Sequence, residues 1–318
     1  MISNKSDIYN IEFFGKGSEY FSIMIVNWLL TIITLGLYYP WAKAKKLRYI
    51  YGQTALNSER FHFSGTGKEM FLGYIKVILS FIILYAFVFM LIVYVPSLLG
   101  LPLLLFYLAF IVFIPFAIHG SLRYRLSRTS YRGIRFGYQG DRNKLLFNFL
   151  KWVFFTVITL GFYSWWLQMN IRKYTHENMR YGDVEFSNNC NGGDWLWLNF
   201  KGYLLTIITF GVYFFWWTAE VFNYYINNMK MTKGEKNTAC YSIATGSGFF
   251  KLLVVNFLII VFTLGFGTAW AEMRTQKFIC DCIKIEGNIN IDEIQQTQEE
   301  YNDAFGEDAI EFFDIDAI

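Results

Sequence analysis

The chain has 318 residues, of which 54% are hydrophobic, 21% aromatic and only 17% charged, with a formal net charge of +3. Soluble domains carry about 25% charged residues. This composition, with a mean hydropathy of +0.30, excludes a water-soluble globular class and points to a membrane protein.

In chain order, the opening MISNKSDIYNIEFFGKGSEY is polar and lacks the basic region, short apolar core and small-residue cleavage site of a signal peptide. The first apolar segment is therefore expected to stay in the mature protein. No charge occurs for 23 residues between Glu19 and Lys43, or for 46 between Lys76 and Arg123. Three more charge-free runs cover 152–171, 202–219 and 252–271. A helix needs about 20 mostly apolar residues to cross a bilayer, and the 46-residue run, punctuated by Pro96, Gly100 and Pro102, holds two. Six spans are predicted, at 20–39, 72–95, 98–119, 148–167, 199–217 and 250–270. After Lys284 there is no Lys or Arg, while ten acids accumulate from Asp292 to Asp316. The chain thus divides into a membrane domain, 1–285, and an acidic C-terminal tail, 286–318. A block of like charge stays solvated as a rule. Ile310, Phe312, Phe313, Ile315 and Ile318 among the acids also suit docking on a basic protein surface.

The spans are repetitive. TLGLYYPW (34–41), TLGFYSWW (159–166), TFGVYFFW (209–216) and TLGFGTAW (263–270) hold Thr, Gly and Trp at fixed offsets. Downstream, Arg48-Tyr49, Lys173-Tyr174, Asn223-Tyr224 and Lys277-Phe278 match. Upstream, Gly17, Phe21 and Asn27 match Gly246, Phe250 and Asn256. A fifth, stretched copy occupies the long run: FSGTGKEMF (63–71) parallels FFGKGSEYF (13–21), and PFAIHGSLRY (115–124) parallels PWAKAKKLRY (40–49). Such periods announce a repeat architecture.

Each unit opens with a short alternating segment such as ERFHFSG or GDVEFSN, which reads as a brief strand closed by a turn. An apolar helix follows and is weakened at Thr-Leu-Gly. The Tyr and Trp beyond suit a membrane–water interface, and the amphipathic stretch after the Trp suits a helix in the headgroup plane beside anionic lipid. The predicted fold is an all-α polytopic membrane protein of about six transmembrane helices built from four to five repeats, with short β-strand segments and interfacial amphipathic helices between spans. Its structural motif is the set of corners Gly36, Tyr38, Trp41; Gly161, Tyr163, Trp166; Gly211, Tyr213, Trp216; and Gly265, Trp270.

The N-terminal stretch F-x-G-x-G (13–17), N-x-L-L-T-I-I-T-L-G-x-Y-x-P-W (27–41), Arg48-Tyr49 and Arg60-Phe61 resembles the signature of the YjgN family. The likeness is close over the first 75 residues and looser to about residue 285. Later copies depart at Pro40, which becomes Trp165, Phe215 and Ala269. The resemblance implies a bacterial inner-membrane protein of a domain class without assigned function, and it carries no catalytic or binding residue onto this chain.

With six single crossings, loops 40–70, 120–145 and 218–249 share one side and hold 16 Lys and Arg against 9 on the other. The positive-inside rule then makes the first side cytoplasmic and puts both termini outside. In the alternative, each corner is the bottom of a re-entrant helix pair and all strand segments meet in one sheet; such backbone must be buried in protein. Single crossings are the expectation adopted.

Chemistry-bearing motifs are sparse. There is no H-E-x-x-H, G-x-x-x-x-G-K-[ST] or G-x-S-x-G. Cys190, Cys240, Cys280 and Cys282 are not clustered with His62, His119 or His176, so all seven read as structural. No catalytic residue, metal or cofactor is expected, and basic loops beside a membrane face anionic lipid rather than nucleic acid. Charges within the spans are nearly absent, which argues against a coupled pump. The expected function is a non-enzymatic envelope scaffold or lipid-interacting module, with membrane lipids as partners and a possible protein partner for the tail. The alternatives are a channel or facilitator for a small solute and, third, a membrane-embedded enzyme.

Overall fold

Each repeat folds as strand, helix, helix, strand. In the computed structural model, which describes residues 7–94, 100–289 and 291–296, there are five such units. The first comprises β1 (Asp7–Phe13), α1 (Gly17–Ile33), α2 (Tyr39–Gln53) and β2 (Thr54–Leu56). The second, with the long insertion, comprises β3 (Glu59–Phe63), α3 (Gly67–Tyr94), α4 (Gly100–Arg128) and β4 (Thr129–Tyr131). The third comprises β5 (Ile134–Tyr138), α5 (Arg142–Ile158), α6 (Ser164–Glu177) and β6 (Met179–Tyr181). The fourth comprises β7 (Val184–Asn188), α7 (Gly192–Ile208), α8 (Phe214–Asn227) and β8 (Met229–Lys233). The fifth comprises β9 (Lys236–Ser242), α9 (Gly246–Phe262), α10 (Thr268–Cys282) and β10 (Ile283–Gly287).

Local chemistry sets these boundaries. Asp141, Asn191 and Thr245 accept from backbone N–H groups of the helices they precede, as good N-caps do. Thr66 and Glu69 form a reciprocal capping box at the start of α3. Two-residue turns join consecutive units; Asn57-Ser58 and Arg132-Gly133 have positive φ at both positions, which matches the right-handed twist of a tight hairpin.

The first and last strands of every unit pair with each other, and the turns pair each unit with the next. The result is a closed antiparallel barrel in the order β1-β10-β9-β8-β7-β6-β5-β4-β3-β2. Closure joins the two ends of the chain through register Ile8↔Glu286 and Tyr9↔Ile285. The helices ring the barrel in the same cyclic order: α2 packs on α3, α4 on α5, α6 on α7, α8 on α9, and α10 returns to α1.

This overturns the expected all-α fold of six crossings. Among the described residues only α3 and α4, of 28 and 29 residues, are long and apolar enough to cross a membrane. Helices α1, α5, α7 and α9 have 17 residues each, about 25 Å at 1.5 Å per residue, against about 30 Å of hydrocarbon. The segments expected to lie in the headgroup plane instead run back along these helices as α2, α6, α8 and α10. The physical reason is directional. Apolarity counted along a chain gives length, whereas reversal is set by the conformation of two residues at each corner. Because every hairpin returns its strand to the same side, the short strands find partners, and ladders too brief to stand alone become stable together.

The barrel interior is filled by Tyr131, Tyr181, Val184, Ile289 and Ile294, with Leu56, Phe61 and Met231 around them. A void of about 60 Å³ remains. Ile289 and Ile294 come from the segment after β10, which lies across the barrel mouth. Lys236 Nζ is 2.8 Å from Glu293 Oε2, and Arg135 N donates to Gln296 Oε1 at 2.7 Å. The boundary drawn at 285/286 thus falls inside β10. Residues 297–318, with most of the acidic tail and its expected docking, lie outside the described residues.

Candidate functional site

The corners are self-contained. After α1, Gly36 N donates to Thr31 O at 2.8 Å, and Leu35, Leu37 and Tyr39 N donate to Ile32, Thr34 and Gly36 carbonyls. The remaining donor, Tyr38 N, is capped by Thr34 Oγ1 at 3.0 Å. The same pattern recurs at Gly161, Gly211 and Gly265. All four glycines have φ of +91 to +93°, and the preceding Leu35, Leu160, Phe210 and Leu264 have φ of +50 to +53°. Thr-Leu-Gly is therefore a left-handed reversal in which the threonine side chain satisfies the last amide. Pairing every donor within the corner lowers the cost of taking its backbone out of water. Its tip is apolar, with Leu35, Leu160, Phe210 and Leu264 89–98% exposed, which marks a surface for lipid or a protein partner.

A substitution separates the two devices. Gly211→Ala is expected to cost about 1–2 kcal/mol from backbone strain alone, since the space beside Gly211 is open. Thr209→Val leaves Tyr213 N–H without its acceptor and is expected to cost about 1–3 kcal/mol. Thermal unfolding in detergent checks both.

The aromatic residues of the motif build the ring rather than one shared pocket. A Cβ on Gly67 would strike the Trp41 indole; Gly192 stands in the same relation to Trp166, Gly246 to Trp216, and Gly17 to Trp270. Each corner tryptophan thus packs on the first-helix glycine of the next unit, and the last closes on the first. In the third unit Arg142 replaces the glycine, with its guanidinium carbon 5.5 Å from the Phe116 ring. Tyr38, Tyr163 and Tyr213 hydrogen-bond Lys45 (2.7 Å), Asn170 (3.3 Å) and Glu220 (2.7 Å), in each case seven residues on in the second helix. The fourth motif has Gly267 in place of the tyrosine.

The downstream pairs are latches. Arg48 donates to Gly65 O and Asn223 to Ala244 O, each reaching the following unit. Tyr49, Tyr174 and Tyr224 donate to Lys16, Asp141 and Asn191 carbonyls at the start of their own unit's first helix. His176 is fully buried, its Nδ1 2.7 Å from Asn188 Nδ2. His119 stacks edge-on against Tyr138, and the four cysteines are buried free thiols. Among the described residues no three His, Cys, Asp or Glu side chains are grouped to hold a metal.

One cavity stands out where the first and last units meet. It has about 560 Å³ and lies between α1, α2 and α10, within the usual range for ligand pockets. Its apolar wall is Met24, Trp28, Ile32 and Leu47; its polar wall is Tyr20, Asn27, Lys43, Lys46 and Glu272. Lys46 Nζ lies 2.8 Å from Glu272 Oε1, and the Tyr20 hydroxyl also hydrogen-bonds Glu272. Asn27 and Lys43 are buried. These charges were assigned from sequence to loops outside the bilayer, but the hairpins bring them back beside apolar helices. Lys201 and Glu220, 3.2 Å apart across α7 and α8, are a second case. Lys43 and Lys46 were thus missed as site residues. The available signal was Asn27, a polar side chain inside an apolar run at an offset repeated by Asn256.

A family model described as bacterial protein of unknown function (DUF898) matches residues 8–200 and 216–312. The chain belongs to this family. The inner membrane protein YjgN of Salmonella typhimurium is 41% identical over 147 residues, covering 44% of this chain and 34% of that protein. The YjgN proteins of Escherichia coli O157:H7 and K12 are each 37% identical over 139 residues, covering 43% of this chain and 33% of theirs. The match spans about a third of the length of these relatives. No solved structure matches the chain. The expected YjgN resemblance and bacterial inner-membrane location hold.

Proposed function

We propose that this DUF898 chain is a non-enzymatic, lipid-interacting protein of the inner membrane. The packed barrel supports this reading over a channel: Tyr131, Tyr181, Val184, Ile289 and Ile294 fill its lumen, and the one described void there has about 60 Å³. Around the barrel, hairpins tipped by exposed Leu35, Leu160, Phe210 and Leu264 present an apolar rim to lipid. The alternative, a facilitator for a small polar solute, draws support from the cavity between α1, α2 and α10.

Native mass spectrometry of the gently extracted chain tests the choice. A retained phospholipid of defined stoichiometry is the expected result. A retained small polar solute without lipid would select the facilitator, and bare protein would refute both.

A further inference from the structure

We propose that the α1–α2–α10 cavity binds the headgroup of an anionic glycerophospholipid, with the phosphate at Lys43 and Lys46 and a headgroup hydroxyl donating to Asn27 Oδ1. The inference rests on the lipid-interacting reading and adds a place and a chemical class.

Asn27 carries it. Only 7% of the residue is exposed, and its Nδ2 donates to Ala42 O at 3.4 Å. Its Oδ1 is buried without a hydrogen-bond partner, and buried polar atoms are normally paired. The equivalent residue of the fifth unit shows what is missing. Asn256 Oδ1 accepts from Arg274 Nε at 3.1 Å, while its Nδ2 donates to Ala271 O and Thr275 Oγ1. In the first unit the position of Arg274 is held by Lys45, whose ammonium turns to Tyr38 instead. Asn27 therefore leaves an acceptor unpaired in the wall of the cavity, where a turn of the side chain offers it to a ligand donor.

Charge and shape narrow the class. The cavity's charged side chains are Lys43, Lys46 and Glu272, a net positive set that favours an anion. Trp28 and Ile32 line the same space and are themselves 43% and 71% exposed, so the apolar wall is continuous with the exposed surface of α1. A free phosphate would leave that wall uncovered; an acyl chain covers it. Phosphatidylglycerol supplies the anion, the hydroxyl donor and the chain together.

The test is binding of dihexanoyl phosphatidylglycerol, dihexanoyl phosphatidylcholine and inorganic phosphate to the purified full chain in detergent, by native mass spectrometry titration. The glycerol lipid is expected to bind at one saturable site, about tenfold tighter than the choline lipid, which lacks the donor. Asn27→Leu and Lys43→Gln are each expected to weaken it about tenfold. Ala42→Leu, which fills the cavity and keeps every polar group, should do the same, while Lys45→Gln should not. Should Asn27→Leu fail to fold, the other two variants still decide. Phospholipid binding that is undiminished in Lys43→Gln and Ala42→Leu would overturn this site and leave the lipid reading standing. No phospholipid binding by the unaltered chain would overturn both. Inorganic phosphate binding as tightly as the glycerol lipid would overturn the lipid assignment.

Discussion

Gly192→Val is expected to destabilise the protein by about 3 kcal/mol, more than any exposed substitution. The β-carbon would enter the Trp166 indole, and nearby ring and backbone atoms leave no room for a simple adjustment. Gly192 opens α7 in the fourth unit while Trp166 stands on α6 in the third, so the clash falls on the joint between units. Trp166→Ala alone is expected to cost about 3–5 kcal/mol through the cavity it leaves. The double variant should lose clearly less than the sum, since each change relieves the other. Gly52→Ala provides the control. Nothing lies within 4 Å of its added methyl, and removing a glycine from a helix is expected to be neutral or stabilising by up to about 1 kcal/mol. Thermal unfolding in detergent measures all four. Additive losses at Gly192 and Trp166 would mean that the units do not join through this contact.

The second large effect is expected at the barrel mouth. Ile289→Ala should cost about 2–5 kcal/mol, because Ile289 is 5% exposed and packs among Tyr131, Tyr181, Val184 and Ile294. The side chain lies beyond the last strand, in a stretch that composition assigns to a solubilising tail. Ile8→Ala is the comparison: Ile8 lies on the barrel but is 56% exposed, and its replacement should change stability by about 0.5 kcal/mol or less. Equal losses at the two positions would place the post-β10 segment outside the folded core.

Much of the architecture is legible in the chain. The Thr, Gly and Trp offsets mark the repeat, the G-x-G pairs at 15–17, 65–67 and 246–248 fall at the starts of α1, α3 and α9, and the alternating ERFHF and VEFSN segments are β3 and β7. What could not be read was the sign of φ at Leu35, Leu160, Phe210 and Leu264. A leucine in the left-handed region leaves no trace in hydropathy, yet it decides whether an apolar helix continues across or turns back. The tryptophans hide a packing role for a related reason. An aromatic residue beside a glycine-ended helix has the composition of an interfacial anchor, and nothing local shows that Trp41 also packs on Gly67, 26 residues further along the chain. Ring closure was hidden too, because β1 and β10 lie at opposite ends of the sequence. The cavity followed from that closure, so Lys46 and Glu272 could be paired only once the first and fifth units had met.

In this fold all helix pairs turn back and deliver their strands to one barrel, which puts every strand turn on the same side of the membrane. Single-cysteine variants at Ser58, Glu185 and Glu235, labelled by a membrane-impermeant maleimide in oriented vesicles, test it most directly. Ser58 and Glu235 lie in exposed turns and Glu185 on the outer face of β7. Background should be low, since the four native cysteines are buried. Burial also pushes the Cys240 thiol up to about 11, so at neutral pH it stays protonated rather than becoming the reactive thiolate. The fold predicts labelling of all three sites from the same side. Glu185→Cys labelled only from the opposite side to Ser58→Cys and Glu235→Cys would contradict it, for that is the pattern of six single crossings.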